Sequence, residues 1–343
     1  MLISDIKDRF CNFFELTFPE YQNIEITQLK DITSGWENDL LSFDLGYQDQ
    51  GKQVKKELVA RIYPATNSKT KSAKEFSVMK KLYDLNYPVP KMELLENSGE
   101  IIGKPFVIME RIDGPTMGEI LRKSNEKKQI EMMELFIDLY VQLHKINWRE
   151  FNLITPPPES QSLNTYIETQ IDEYIDSLLQ RGMIDFSEVF KWLRNQINGI
   201  SVSSLSLIHL DYHPDNILMK RDLNPVVIDW GTSSVLDFRF DLAWTVLLTN
   251  AHASPTLGQQ VFDIYQQKLG RVIEDFEFFY VFAATRRLTD YAISLIQGSE
   301  LSGMRPETAS LLKQYNQVYQ FVYGVIRDHL GVKIKLIEDL LSK

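Results

Sequence analysis

Residues 205–244 read LSLIHLDYHPDNILMKRDLNPVVIDWGTSSVLDFRFDLAW, and the fold turns on them. Two short apolar runs, 216–220 and 226–230, are joined by the turn-forming stretch 221–225. Such a ribbon folds as an antiparallel hairpin. Asn216 opens its first strand and Asp229 closes its second, so the two side chains are expected roughly opposite each other at the open end. A third oxygen-bearing side chain, Asp211, stands five residues before Asn216 in the loop that leads in. An Asp and an Asn at that spacing occur by chance in a chain of 343 residues. The hairpin and the second aspartate around them make the pattern specific.

Upstream of this segment, runs rich in aliphatic and aromatic residues at 24–29, 40–45 and 57–63 predict strands. A helix follows, where Phe76, Met79, Leu82 and Tyr83 recur at spacings of three and four. It should stop near Tyr87, because Pro88 and Pro90 cannot continue a helix. Strands at 92–96 and 105–110 come next, and 111–115 reads as a joint. Beyond it Ile130, Met133, Phe136, Ile137, Tyr140 and Leu143 mark one helical face, and further helices are expected at 163–179 and 187–197. The stretch 153–161, with Pro156, Pro157 and Pro158, reads as an exposed linker, and the chain looks helical after Asp241. The expected class is α+β and bilobal, with a small antiparallel-sheet lobe over 1–112 and a larger, mainly helical lobe over 113–343. A cleft between such lobes is the default place for a ligand.

Hydrophobic residues make up 44% of the chain and charged residues 24%, an ordinary balance for a folded globular protein. The single cysteine, Cys11, excludes an internal disulfide and a cysteine metal cluster, and suits a reducing compartment. No apolar run approaches the roughly 18 to 20 residues that cross a bilayer. The first nine residues, MLISDIKDR, carry acids and bases where a secretory leader has an apolar core. A cytoplasmic protein without a membrane partner is expected. The net charge of −10 argues against a nucleic-acid binder. It keeps the protein soluble and would favour cationic ligands. Glu168, Asp172, Glu173 and Asp176 on one candidate helix point the same way, toward an acceptor pocket that leans acidic.

Three converging oxygen-bearing side chains suit phosphoryl transfer. Mg²⁺ takes oxygen ligands and is shared with substrate phosphates, while one further carboxylate accepts the acceptor's hydroxyl proton. The segment resembles the aminoglycoside-phosphotransferase and choline-kinase-like family, relatives of protein kinases that phosphorylate antibiotics, choline, methylthioribose or homoserine. The run from His209 to Asn216 is similar to the family's His-Gly-Asp-x-His-x-x-Asn loop, and Asp229-Trp230-Gly231 to its Asp-Trp/Phe-Glu/Gly. Asp241-Leu242-Ala243, Leu143-His144 and Pro88-Val89-Pro90 resemble further family elements. The Ala-Pro-Glu element of protein kinases is missing. The likeness runs from about Thr27 to Trp244.

The resemblance implies a protein-kinase-like fold and a small-molecule kinase. It would move the γ-phosphate of ATP or GTP to a hydroxyl of an acceptor such as an aminoglycoside, amino alcohol or sugar. Asp211 would be the catalytic base, Asn216 and Asp229 would hold Mg²⁺, and Asp241 would brace the loop. In the first lobe, Ser34 and Gly35 sit where a phosphate-covering turn is expected. Arg61 would reach the phosphates, and Met109, Glu110 and Ile112 would frame the base. A charge such as Arg61 amid apolar strand residues needs a partner if buried, and Glu75 on the next helix is the natural one. Leu210 replaces the family's usual glycine and resists a positive φ. The aromatic run Phe276, Phe278, Phe279, Tyr280 and Phe282 reads as helix packing. The alternative is a pseudokinase, a nucleotide- or partner-binding module without turnover, which the joint presence of Asp211, Asn216 and Asp229 disfavours. A protein kinase is the third reading.

Overall fold

The structure, a computed structural model, describes residues 3–33, 38–63, 68–151, 161–302, 304–305 and 308–342. Ser34, Gly35 and, except for Gln161, the expected proline-rich linker lie outside the described residues. The strands are β1 (Gln22–Asp31), β2 (Asp39–Asp49), β3 (Lys52–Ile62), β4 (Met92–Glu96), β5 (Phe106–Glu110), β6 (Ser206–Ile208), β7 (Ile217–Met219), β8 (Pro225–Val227) and β9 (Ser234–Leu236). The helices are α1 (Ile3–Thr17), α2 (Ser68–Asp84), α3 (Met117–Lys123), α4 (Glu126–Lys145), α5 (Leu163–Gln180) and α6 (Ser187–Ile197). They continue with α7 (Phe238–His252), α8 (Pro255–Leu269), α9 (Phe276–Ile296), α10 (Thr308–Leu312), α11 (Asn316–Leu330) and α12 (Lys335–Leu341). The chain divides into two compact units, the first made of Met1–Pro115, Leu218–Gly231 and Gly303–Arg305, the second of the remainder.

The first unit is built on a five-stranded antiparallel sheet in the order β1-β2-β3-β5-β4. β2 and β3 turn through Gln50 and Gly51, which both take positive φ, as a two-residue hairpin requires. Helix α1 is an addition to the expected strands. Its Ile6, Phe10, Phe13 and Phe14 recur at helical spacing and meet the sheet. Phe10 lies 5.1 Å from Phe106 and 5.6 Å from Phe43, ring centroid to centroid.

The segment 218–231 returns to this unit from far along the sequence. Val227 N–H donates to Pro88 O at 2.8 Å and Met219 N–H to Pro115 O at 2.9 Å. Lys220 Nζ reaches Glu110 Oε1 at 3.2 Å, and the Trp230 ring packs edge-on to Tyr87. A Cβ on Gly114 would lie 1.9 Å from Met219 O, so only glycine lets the joint pass this close to β7. β7 and β8 pair as a two-stranded sheet but are shorter than expected. Pro214–Asn216 form a 3-10 turn, which puts Asn216 before the strand rather than in it. Asp229 follows β8 by two residues and takes φ 70°, a left-handed conformation that aspartate tolerates.

The second unit is mainly helical. Thr116, Asn125, Ser162, Asp237 and Ser254 cap α3, α4, α5, α7 and α8, each accepting from an N–H of the first turn. Phe136, Ile137, Tyr140 and Leu143 of α4 point inward as expected, whereas Ile130 is 55% exposed because the buried face begins at Met132. Phe278 and Phe279 of α9 are buried, and Phe279 packs on Phe240 at 4.8 Å. β6 and β9 pair antiparallel within this unit, two strands that the apolar pattern does not announce. Among the described residues no helix is long and apolar enough to cross a membrane.

If α1 is part of the first unit's core, Phe10→Ala should lower the unfolding free energy by about 3–5 kcal/mol, the usual loss for a buried phenylalanine. Urea denaturation reads the change as a lower midpoint, and an unmoved midpoint would show α1 to be dispensable.

Candidate active site

In the first unit, the chemistry gathers around one cation. β3 alternates its side chains, and the register that buries Leu58, Ala60 and Ile62 leaves Arg61 only 8% exposed as well. A guanidinium in that position is costly unless charges and acceptors surround it. They do. Arg61 Nη1 lies 3.3 Å from Glu75 Oε1, and Nη2 donates to Asp229 Oδ1 at 2.6 Å. With its amide turned to satisfy both groups, the Asn38 oxygen accepts from Arg61 Nε at 2.9 Å and Nη2 at 2.7 Å. Tyr63 Oη donates to Glu75 Oε2 at 2.7 Å. Burial works against the Arg61 charge, but Asp229 and Glu75 outweigh it and raise its pKa. Burial pushes the Glu75 carboxyl up, and Arg61 pulls it back only in part.

The strand that follows in space, β5, carries the residues expected at the base. Met109 is buried, paired with Val59 of β3 and Met92 of β4. Glu110 N–H donates to Lys91 O at 2.9 Å and Arg111 N–H to Glu57 O at 3.0 Å. The Arg111 guanidinium is pinned by Asp44 at 3.0 Å and Glu57 at 2.9 Å. Ile112 comes next and is half-buried. These residues end the sheet and stand apart from the contacts that hold Arg61.

In the second unit the loop from His209 to Asn216 is held by a buried acid. Asp241 Oδ2 accepts from His209 N–H at 2.8 Å, and its Oδ1 from Leu210 N–H at 2.7 Å. His144 Nε2 lies 3.1 Å from Asp241 Oδ2, and its Nδ1 bonds Tyr265 Oη at 2.7 Å. Leu210 takes φ 62° despite its side chain, at a cost of about 1–2 kcal/mol that these bonds offset.

The Asp211 carboxylate is held at both of its oxygens. Trp244 Nε1 donates to its Oδ1 at 3.3 Å, and His213 Nε2 lies 3.6 Å from its Oδ2. Asn216 Nδ2 donates to Asp211 O at 2.9 Å and to Oδ2 at 3.2 Å. Burial acts to raise the Asp211 pKa, but the hydrogen bond and charge of His213, then His209 and Trp244, outweigh it and hold the carboxyl well below the usual range. About a third of the side chain, 36%, still meets solvent. Because the Asn216 N–H₂ group is committed to Asp211, its amide oxygen remains as the acceptor end of the side chain. Asp215, inside the same loop, anchors α3 through Arg122 and Thr116 instead.

The first unit thus brings together Arg61, Glu75 and Asp229, and the second brings together Asp211 and Asn216. Asn38 and Trp244 complete these groups without a local sequence signal for Asn38. Trp244 had one: it stands three residues after Asp241, one helical turn along α7. Of the four acids expected to lean an acceptor pocket acidic, Asp172 and Asp176 of α5 are paired with Arg194 of α6. Among the described residues no group of three or more His, Cys, Asp or Glu side chains forms a metal cluster. A cation that leans on phosphates and water needs none.

Residues 28–278 match the model of the phosphotransferase enzyme family. The chain is 24% identical over 173 residues to acyl-CoA dehydrogenase family member 11 of Pongo abelii. That match covers 50% of this chain and 22% of the relative, so the chain spans about a fifth of the length of the curated relatives it matches. Among solved structures, a thermostable variant of aminoglycoside phosphotransferase APH(4)-Ia, complexed with AMP-PNP and hygromycin B, superposes with a TM-score of 0.61. The identity is 13%, over 94% of this chain and 99% of that one. Ethanolamine kinase from Plasmodium vivax gives a TM-score of 0.52 at 18% identity, over 86% of this chain and 84% of that one. At these identities the likeness is one of fold, and the fold is kinase-like.

Asp241→Ala should leave two buried N–H groups, on His209 and Leu210, without their acceptor. The expected loss is about 1–3 kcal/mol for each, read from urea denaturation. Unchanged stability would mean that the loop holds its left-handed turn without this acid.

Proposed function

The chain belongs to the phosphotransferase enzyme family, and on that premise we propose that it moves the γ-phosphate of ATP or GTP to a hydroxyl of a small acceptor. The observation that carries the reading is the Asp211–Asn216 pair, in which one amide orients the aspartate and turns its own oxygen outward. Asp211 is the base. Held below the ordinary carboxylate range, it is ionised at neutral pH, orients the alcohol, and accepts the proton as the new O–P bond forms.

The donor set fits magnesium. The Asp229 carboxylate and the Asn216 amide oxygen are hard oxygen ligands of the kind Mg²⁺ takes when phosphates and water supply the rest. When bound, Mg²⁺ supplies charge neutralisation to the phosphate oxygens. Arg61, with Nε and Nη2 spent on Asn38 and Asp229, keeps one Nη1 N–H beyond its Glu75 contact for a phosphate oxygen. With Glu110 N–H and Arg111 N–H already spent on backbone carbonyls, the purine edge is read by Glu110 C=O and Ile112 N–H, beside Met109. Ser34 and Gly35 cover the phosphates in this reading. The nucleotide and aminoglycoside bound to APH(4)-Ia support a nucleotide donor and a small hydroxylated acceptor.

Calorimetric titration of nucleotide with and without Mg²⁺, beside steady-state rates on a panel of small alcohols, tests the roles. Asp211→Asn should leave Mg²⁺-dependent nucleotide binding nearly intact while turnover falls by about 10² to 10⁴, the usual reach of a general base. Asp229→Asn should weaken that binding as well as turnover. Arg61→Ala should raise KM for nucleotide far more than KM for the acceptor. If Asp211→Asn abolished Mg²⁺-dependent binding and Asp229→Asn spared it, the two roles would be reversed. Nucleotide bound with no alcohol phosphorylated would instead mark a pseudokinase.

A further inference from the structure

Arg286 and Arg287, in the middle of α9, both turn toward the residues that hold Asp211. The Arg286 guanidinium lies 4.1 Å from the Trp244 ring centroid, and Trp244 is the indole that donates to Asp211. Arg286 Nη1 also donates to Leu210 O at 3.3 Å, on the backbone immediately before Asp211. The Arg287 guanidinium lies 6.0 Å from Trp244 and 5.1 Å from Tyr319. Its Nε is buried and, among the described residues, has no hydrogen-bond partner.

The nearby acids do not balance this charge. Asp290, one turn further on, faces Arg286, Arg287 and Arg181 together, and its nearest approach is 4.0 Å from Arg286 Nε. Three guanidiniums therefore share the single charge of Asp290. His252 reports the same excess of positive charge. Burial first, then the charges of Arg287 and His213, hold the His252 imidazole below its ordinary range. Packing on aromatic rings accounts for one face of each arginine. It gives the Arg287 Nε–H no acceptor, and a desolvated guanidinium N–H without one is costly.

We propose that the acceptor carries an oxyanion, a carboxylate or a phosphate, and that Arg286 and Arg287 bind it so that its hydroxyl meets Asp211. Arginine suits this task, because its donors match the paired oxygens of either group. The proposal rests on reading Asp211 as the base of a small-molecule kinase. It reverses the expectation from net charge, which pointed to cationic acceptors.

The test uses four probes of similar size with ATP and Mg²⁺: 3-hydroxypropanoate, glycerol 3-phosphate, 3-amino-1-propanol and 1,3-propanediol. One of the two anionic probes should exceed the amine and the diol in kcat/KM by at least about tenfold, and which of the two leads identifies the oxyanion. Arg287→Gln and Arg286→Gln should each erase that preference by about 10- to 100-fold, with Arg287→Lys restoring part of it and MgADP affinity unchanged. A preference for the amine, or an anion preference that survives both glutamine variants, would overturn the proposal and leave the kinase reading standing. If no probe is phosphorylated, calorimetric titration with sulfate decides. Binding lost in Arg287→Gln upholds the anion site while the kinase reading falls, and equal binding in variant and wild type sinks the anion site too.

Discussion

The buried Arg61 guanidinium constrains the first unit more than any apolar contact does. It sits in β3, its acids come from α2 and from the returning segment at Asp229, and an amide comes from Asn38. Three stretches far apart in sequence must therefore arrive together or the charge is left unpaired. Such an arrangement gains little net stability, since desolvating the ions consumes most of their attraction. What it fixes is direction. A planar fork can meet Glu75, Asp229 and Asn38 at once, which the single point charge of a lysine could not do with the same rigidity. The carboxylate proposed to hold the metal is thereby placed by a cation on the sheet, from a residue whose backbone is left-handed.

Asp241 plays the same part in the second unit with a negative charge. It is fully buried and spends its oxygens on two consecutive N–H groups and His144. The left-handed turn at Leu210 is consequently imposed by hydrogen bonds. Glycine would make that turn cheaper but is not what creates it. The departure from the family pattern at this position costs some energy and leaves the loop geometry in place. Each unit thus carries one buried charge whose partners position a carboxylate, Asp229 in one and Asp211 in the other.

Much of this was readable from the sequence because polar residues in apolar surroundings announce themselves. Arg61 stood out within an apolar strand, and Asp211, Asn216 and Asp229 at a hairpin and the loop that leads into it. The unreadable parts have physical reasons. β6 and β9 are three residues each, too short for a periodic signal. Pro214 starts a 3-10 turn that consumes Asn216, so the strand begins one residue late. Helix α1 did carry a helical apolar spacing, but its interleaved acids and bases read as a polar start to the chain. Asn38 acts only through a tertiary contact, and no local pattern marks an amide for that use.

The sum of charges carries less local information for a similar reason. A net charge of −10 describes the whole surface, and its long-range field is screened within about 8 Å at physiological salt. Which ligand a pocket accepts depends on the few groups inside that distance. Two of the four α5 acids, Asp172 and Asp176, are matched by Arg194 on a surface helix pair. Near Asp211 the local balance has the opposite sign, because α9 contributes two consecutive arginines and Asp290 can neutralise only one. An acidic protein can therefore carry a locally basic group of side chains, and the local sign beside Asp211 follows from which helix faces that loop.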